Sequence, residues 1–550
     1  MLGVVGIAFV GIASRAAYLQ IYEARNLTSE SDKRSIRFQG IDSRRGVIFD
    51  RNGIELARSI PVESLWINPK DILQSPINLQ AKDWKKLATI LEISVAELNE
   101  FVSKRKDRQF VWLKRQLSPS IADLIHRLKL PGVYLKAEER RYYPSAEINA
   151  HIVGFTGIDS NGLEGFEKAY NDRLAGNPGK QKVIVDLHRN VIENKGIVDD
   201  VKTGEDIALS IDSRIQALAY RELKTAVLKY GARAGSVVVI DIETGEVLAM
   251  ANQPSYNPNR KDQRKPQLTR NRAVTDMFEP GSTVKPFTVL TALEHDIVKP
   301  NTLISTGPGR YKIGNNWVRD GVNLGTVTVT KILQKSSNVG VSKLALDLDD
   351  EKFLDTFYQL GFGLDTGSGF PGESAGKFSI RPNWSLFEKA TMSYGYGFQV
   401  TPLQLASAYA TLGSKGIKRP ISFLKVQQPV EETRVFSEKA SSQVLAMMKT
   451  VVAEGGTAKA AALESYSTAG KTGTARKAIK GGYGDEYLTF FAGISPASNP
   501  KIAMVVMLDE PDGDVYYGGD VAAPVFSKVA EQALRLLNVK PDKIKESSRG

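Results

Sequence analysis

The last two-thirds of the chain carry an apolar pattern that leaves few architectures open. Val237–Ile242 and Val247–Ala251 read as apolar strands joined through Glu243-Thr244-Gly245-Glu246, a hairpin signature. Toward the other end, Leu488–Gly493 and Ile502–Leu508 read as two more strands around the turn Pro496–Pro500. Helical periodicity fills the interval, over Lys285–His295, Val329–Leu346, Pro402–Leu412 and Lys439–Val452, and returns in Val521–Leu537 after the last strand. Early strands, a helical middle and late strands predict an α+β domain, an antiparallel sheet sandwiched by helices.

Three motifs lie on that pattern in a fixed order: Ser282-Thr283-Val284-Lys285, Ser336-Ser337-Asn338 and Lys471-Thr472-Gly473-Thr474. They supply a hydroxyl nucleophile, an amine to take its proton, a second hydroxyl with an amide, and a cationic strand edge, which is the equipment of acyl transfer through a serine ester. Each motif has decoys, in Ser103 with Lys106, in Ser255-Tyr256-Asn257 and in Lys202-Thr203-Gly204, but the decoys fall in the wrong order. Composition removes the competitors. The chain has no cysteine and four histidines; His295 lies ten residues beyond Lys285 on the same helical pattern, about 15 Å away. His126, His151 and His188 are scattered, and neither a zinc spacing nor a phosphate-binding glycine loop is present. No metal and no cofactor is expected.

Glu279-Pro280-Gly281 breaks the chain before Ser282, which places the serine at a helix N-terminus, with Lys285 on the same face. Pro286 fits only a first turn and disfavours helical geometry at Lys285. A lysine acts as a base once a neighbouring cation or burial lowers its pKa, and Lys471 is the candidate cation. On a strand edge with Thr472 and Thr474, Lys471 is also suited to hold a substrate carboxylate. Ser336 is suited to relay a proton and Asn338 to grip a substrate amide. The alternative for Ser336 and Asn338 is a plain helix cap within Lys335–Gly340.

The first residues, Leu2–Ala13, are an uncharged apolar run that continues through Ala16–Tyr22. No clean small-residue cleavage site follows, so an uncleaved membrane anchor is expected, over a removed signal. The basic residues Arg25, Lys33, Arg34 and Arg37 follow the run and none precedes it; a start placed downstream of a basic cytoplasmic tail reconciles this with an amino-terminus-inside anchor. The net charge of +12 favours an anionic neighbour such as a membrane surface or an acidic polymer. Residues 23–203 read as short strands and basic loops, with a turn at Asp50-Arg51-Asn52-Gly53, helical periodicity over Leu91–Phe101 and Ile121–Leu130, and a helix over Phe166–Leu174. The expected organisation is anchor 1–22, an elongated mixed α/β pedestal 23–203, a catalytic domain 204–540 and a polar tail 541–550.

With these motifs in place, the chain resembles the class B penicillin-binding proteins, most closely their cell-division type. The likeness extends over nearly the whole chain. Arg45-Gly46 through Asp50-Arg51-Asn52-Gly53 to Leu56-Ala57 matches the first amino-terminal signature. Arg141-Tyr142-Tyr143-Pro144 with His151 and Gly154 matches the second, and Gly162-Leu163-Glu164-Gly165-Phe166-Glu167 the third. Gly235–Asn259, Tyr394-Gly395-Tyr396-Gly397 and Tyr516-Tyr517-Gly518-Gly519 resemble further family segments. Ala146 stands where the family commonly has glycine, and His188-Arg189-Asn190 occupies a turn that usually contains one.

The resemblance implies a β-lactamase-like penicillin-binding fold and a septal peptidoglycan D,D-transpeptidase, held by a single-pass anchor in a bacterial inner membrane with its catalytic domain in the periplasm. Carried over by motif, Ser282 is the acylated nucleophile and Lys285 its base, with Ser336 and Asn338 the second motif. Lys471, Thr472, Gly473 and Thr474 face the substrate carboxylate, and the backbone N–H groups of Ser282 and Thr474 form the oxyanion hole. Stem peptides ending in D-Ala-D-Ala and β-lactams are the implied ligands. The septal glycosyltransferase FtsW and other division proteins are the implied partners, and nucleic acid is not among them. The elongation-type enzyme, a D,D-carboxypeptidase using water as acceptor, and a non-enzymatic β-lactam-binding scaffold or sensor remain the alternatives. A serine β-lactamase would need a water-activating group that the sequence does not offer.

Overall fold

A computed structural model describes residues 1–74, 81–186, 191–378, 384–428, 430–479, 482–513 and 515–543. His188, Arg189 and Asn190, and the tail beyond 543, lie outside the described residues. The chain forms two compact units, one of residues 1–46 with 172–206 and the other of 47–171 with 207–550.

In the first unit, Gly3–Tyr22 is the one helix among the described residues that is long and apolar enough to cross a membrane. Its 20 residues match the ~20 that span a bilayer core. The same unit holds a three-stranded antiparallel sheet in which Gly179–Val185 lies between Ile36–Ile41 and Val191–Asp199.

In the second unit, residues 47–171 build a sheet on the long strand Glu55–Ile67, which pairs with Ile48–Phe49, Val111–Leu117 and Val133–Tyr142. Helices Lys82–Leu91, Val95–Ser103 and Pro119–Leu128 cover it around the buried Trp84, Leu87, Leu98 and Ile125. The periodicity over Leu91–Phe101 conceals a break. One helix ends at Leu91 with Glu92 left-handed at φ 61°, and the next starts behind a Ser94–Glu97 capping box. The helix expected over Phe166–Leu174 is likewise two short ones, Gly165–Ala169 and Asn171–Ala175.

The larger sheet of this unit has five antiparallel strands: β1 (Ala234–Asp241), β2 (Val247–Gln253), β3 (Ala469–Ile479), β4 (Gly482–Ser495) and β5 (Ile502–Asp509), in the order β2-β1-β5-β4-β3. The early hairpin and the late strands thus adjoin in one sheet, with β1 beside β5. β1, β2 and β5 are buried almost throughout, which is why they read as apolar runs and not as alternating patterns. The helices around it include α1 (Ser213–Lys229), α2 (Lys285–Glu294), α3 (Val329–Lys335), α4 (Asn338–Asp347), α5 (Pro402–Gly413), α6 (Glu438–Val452) and α7 (Ala523–Leu536). α1 and α7 share one hydrophobic core with the sheet, and α5, buried along its whole length, packs against β1, β4 and β5. The α+β sandwich stands, and β3 is left as the free edge on which the third motif sits.

Ala146, the departure from the family's glycine, has φ 44°. The left-handed region costs a non-glycine residue roughly 1–2 kcal/mol, partly offset by glycine's greater freedom in the unfolded chain. Ala146→Gly is expected to raise stability by about 0.5–1 kcal/mol, read as an increase in the urea midpoint at unchanged slope.

Candidate active site

Ser282 lies on a 3-10 turn, Gly281–Val284, that runs directly into α2 at Lys285. Pro286 sits in the first turn of α2, where its missing N–H is no loss. Lys285 is nonetheless helical, at φ −53° and ψ −37°, so the expected distortion before proline is absent. The turn is held on several sides. Gly281 N–H donates to the Gly395 carbonyl at 3.1 Å, Thr283 Oγ1 donates to the Pro280 carbonyl at 2.6 Å, and the buried Tyr409 hydroxyl on α5 donates to the Thr283 carbonyl at 2.7 Å. Among the described residues no group hydrogen-bonds the half-buried Ser282 hydroxyl, which leaves it available to a substrate.

The second motif breaks the helix expected over Val329–Leu346. α3 ends at Lys335, Ser336 takes a left-handed conformation at φ 61°, and α4 starts at Asn338. The helix cap that was the alternative reading exists, but it belongs to Ser337, whose hydroxyl accepts the Gly340 N–H at 2.9 Å. Ser336 and Asn338 instead meet Lys285. Its Nζ donates to the Ser336 carbonyl at 2.6 Å, to Ser336 Oγ at 3.1 Å and to Asn338 Oδ1 at 2.6 Å. In this state Asn338 Oδ1 therefore holds the lysine, where the sequence pointed to a substrate amide.

Lys471, fully buried on β3, donates to the same Ser336 Oγ at 2.9 Å and to the Thr472 carbonyl at 3.1 Å. Burial lowers its pKa to about 7. Lys285, also fully buried, is pushed well below the ordinary lysine range by burial first and by the charge of Lys471 second, against the opposing pull of Asp320. A lysine whose pKa is lowered in this way gives up its own proton more readily and can then take one from a serine, and Ser336 Oγ lies between the two amines.

Asp320 is the functional residue that sequence reasoning missed. Its carboxylate accepts from Ser337 Oγ at 2.5 Å and from the backbone N–H groups of Asn338 at 2.5 Å and Val339 at 3.0 Å. It thus caps α4, where an anion is favoured by the helix end. No local pattern reveals it, because it arrives from a loop 17 residues before Ser337.

The third motif runs along the edge of the sheet, Lys471 opposite Ala492 and Thr474 opposite Thr489 on β4. Gly473 permits the strand to lie against the serine turn: a Cβ there would sit 2.9 Å from Thr283 Cγ2. Thr472 Oγ1 shares a hydrogen bond with Thr457 Oγ1 at 3.1 Å, and Thr474 Oγ1 accepts the Gly518 N–H at 3.1 Å. Lys285, Ser336, Asn338 and Lys471 are therefore joined by direct hydrogen bonds, and the Ser282 turn meets them through α2 and Gly473. Among the described residues no cluster of histidine and carboxylate side chains suited to a metal ion is present.

The chain matches known proteins over most of its length. The family description "Penicillin binding protein transpeptidase domain" matches residues 235–531, and "Penicillin-binding Protein dimerisation domain" matches residues 40–209. The chain is 44% identical to the peptidoglycan D,D-transpeptidase FtsI of Escherichia coli K12, over 98% of this chain and 92% of that protein. This chain belongs to the penicillin-binding protein transpeptidase family. It is also 40% identical to the probable peptidoglycan D,D-transpeptidase PenA of Neisseria gonorrhoeae, over 98% of this chain and 92% of that one. Among solved structures, penicillin-binding protein 3 of Mycobacterium tuberculosis in complex with ampicillin superimposes with a TM-score of 0.70 at 26% identity, covering 92% of this chain and 98% of that one.

Two predictions follow from the site's electrostatics. Unfolded lysine titrates near 10.4, whereas folded Lys471 titrates at about 7. Between these values the unfolded chain holds the additional proton, so stability rises with pH, by up to ~1.4 kcal/mol per unit. Denaturant midpoints are expected to climb from pH 7 to pH 9, and Lys471→Met to make the climb shallower. Asp320→Asn loosens the start of α4, which places Ser336 and Asn338 against Lys285; acylation by a fluorescent penicillin is expected to slow about tenfold or more, with stability falling by about 1–3 kcal/mol.

Proposed function

We propose that the chain is a septal peptidoglycan D,D-transpeptidase acting through a Ser282 acyl-enzyme. The observation that carries this reading is the convergence of two buried lysines of lowered pKa on Ser336, one of them on the helical turn directly after Ser282. Ser282 Oγ attacks the carbonyl of the penultimate D-alanine of a stem peptide while Lys285 takes its proton. Ser336 passes that proton to the departing terminal D-alanine as the peptide C–N bond breaks. An amine from a neighbouring stem then attacks the ester: the new C–N bond forms, the bond to Ser282 breaks, and the proton returns to the serine. Lys471, Thr472, Gly473 and Thr474 hold the substrate's terminal carboxylate along the β3 edge, and the N–H groups of Ser282 and Thr474 stabilise the oxyanion. β-Lactams acylate Ser282 because they mimic the D-Ala-D-Ala end.

The 20-residue apolar helix Gly3–Tyr22 supports a single-pass anchor in the inner membrane, with the catalytic domain 204–540 in the periplasm. Residues 23–203 form the pedestal, a reading supported by the match over 40–209. Its partners are the septal glycosyltransferase FtsW and other division proteins.

The test is labelling with a fluorescent penicillin, followed by incubation with donor and acceptor stems. Wild type is expected to form a long-lived adduct that Ser282→Ala abolishes, and to release D-alanine as cross-linked product accumulates. Labelling that survives Ser282→Ala removes the nucleophile. Release of D-alanine with hydrolysis alone converts the reading to a carboxypeptidase, and adduct formation with neither reaction converts it to a sensor.

A further inference from the structure

Glu279 stands three residues before the nucleophile and has no part in the chemistry described so far. Its Oε1 accepts the Gly397 N–H at 2.8 Å and the Tyr483 hydroxyl at 3.3 Å. Its Oε2 is shielded from solvent and has no hydrogen-bond partner. Among the described residues no lysine or arginine forms an ion pair with it. Tyr483 bonds this carboxylate and Tyr396 stands near enough to feel its charge; Tyr396 in turn meets Tyr483 edge-to-face with ring centroids 5.5 Å apart and Tyr394 at 5.7 Å. Burial raises the Glu279 carboxyl above its ordinary range, against the pull of its two hydrogen bonds. Burial, with the nearby carboxylate, likewise raises the Tyr483 hydroxyl.

A partly buried carboxylate with one oxygen shielded and no counter-ion carries a cost, and the cost calls for a reason. Bracing the Tyr394–Gly397 segment against the serine turn is not a sufficient one. A glutamine would accept from Gly397 and Tyr483 through its own Oε1, so the bracing role makes no use of the charge. Negative charge bordered by tyrosine rings is, however, the surrounding that suits an ammonium ion, which gains both an ion pair and ring contacts. The exposed side of the cluster is Tyr483, at 47% exposure, and its long bond to Oε1 is the one an incoming cation displaces.

We propose that Glu279, with Tyr394, Tyr396 and Tyr483, receives the acceptor stem as its ammonium ion before transfer. The inference rests on the transpeptidase reading and deepens it, since it assigns the acceptor a cationic primary amine and a place on the nucleophile's own segment. It concerns reception of the acceptor, before any bond forms at the Ser282 ester.

The test uses the full chain, acylated by a small thioester donor, with D-alaninamide or hydroxylamine added as acceptor. The first is largely an ammonium ion at neutral pH and the second is a neutral nucleophile, so their ratio isolates recognition of charge. The expected result is that Glu279→Gln lowers the preference for D-alaninamide over hydroxylamine about tenfold, through the half-saturating concentration of D-alaninamide. Tyr483→Leu is expected to lower it about threefold, and it decides the matter if Glu279→Gln fails to fold. A wild-type preference in both variants, or a loss of transfer to both acceptors alike, overturns the inference alone. A wild-type acyl-enzyme that yields hydrolysis and no transfer to either amine overturns the transpeptidase reading, and this inference with it.

Discussion

Two lysine amines share one hydroxyl. Lys285 and Lys471 both donate to Ser336 Oγ, at 3.1 and 2.9 Å, and both are fully buried. Two full positive charges this close, away from water, repel strongly, so the cluster favours a state in which a proton is missing. The surrounding structure is disposed to hold that state. The break between α3 and α4 turns the Ser336 side chain inward, and the edge strand β3 brings Lys471 to it. Asp320 puts negative charge close enough to be felt by Lys285 while giving its hydrogen-bonding capacity to the start of α4. Were the aspartate to pair with Lys285 directly, the lysine would stay charged and could not take a proton from Ser282.

Much of this was legible in the sequence, and the limits have physical causes. β1, β2 and β5 are buried almost throughout, so continuous apolar runs located them to within a few residues, whereas the exposed first half of β4 and the mixed burial of β3 left no such run. The order of the three motifs gave the site because each is a local signal. Signals that depend on distant segments were invisible. Val329–Leu346 keeps its helical period across the left-handed Ser336, because apolar side chains on either side of the break still face the core. Leu91–Phe101 hid the left-handed Glu92 in the same way. Asp320 and Glu279 carry no pattern at all: one acts on a helix that begins 18 residues later, and the other is defined by tyrosines from a remote loop and from the start of β4.

The segments that carried the family resemblance outside the catalytic motifs also acquire a physical meaning. Arg141 of the second signature and Glu167 of the third form a buried ion pair at 2.6 Å, with both side chains almost wholly enclosed. His151, from the second signature, is fully buried, with burial lowering its pKa to about 4, and its Nε2 lies 2.8 Å from the Leu268 carbonyl. Tyr143 exchanges hydrogen bonds with Asn259 through its backbone, at 3.1 and 2.9 Å. His151 and Tyr143 are thus joints between residues 47–171 and the catalytic part of the same unit, while the Arg141–Glu167 pair ties the second signature to the third within residues 47–171. A buried charge pair of this sort is kept together because loss of either member strands the other.

Gly473 has a mechanical corollary. With no side chain between them, β3 and the serine turn are in backbone-to-side-chain contact, and no compressible layer separates the edge strand from the turn that carries Ser282. The width of the cleft at this point is set by a missing methyl group. A lateral shift of β3 by a fraction of an ångström is passed on to Ser282 almost undiminished, so the catalytic alignment of this fold is tuned at the sheet edge, by displacements far smaller than any hinge motion.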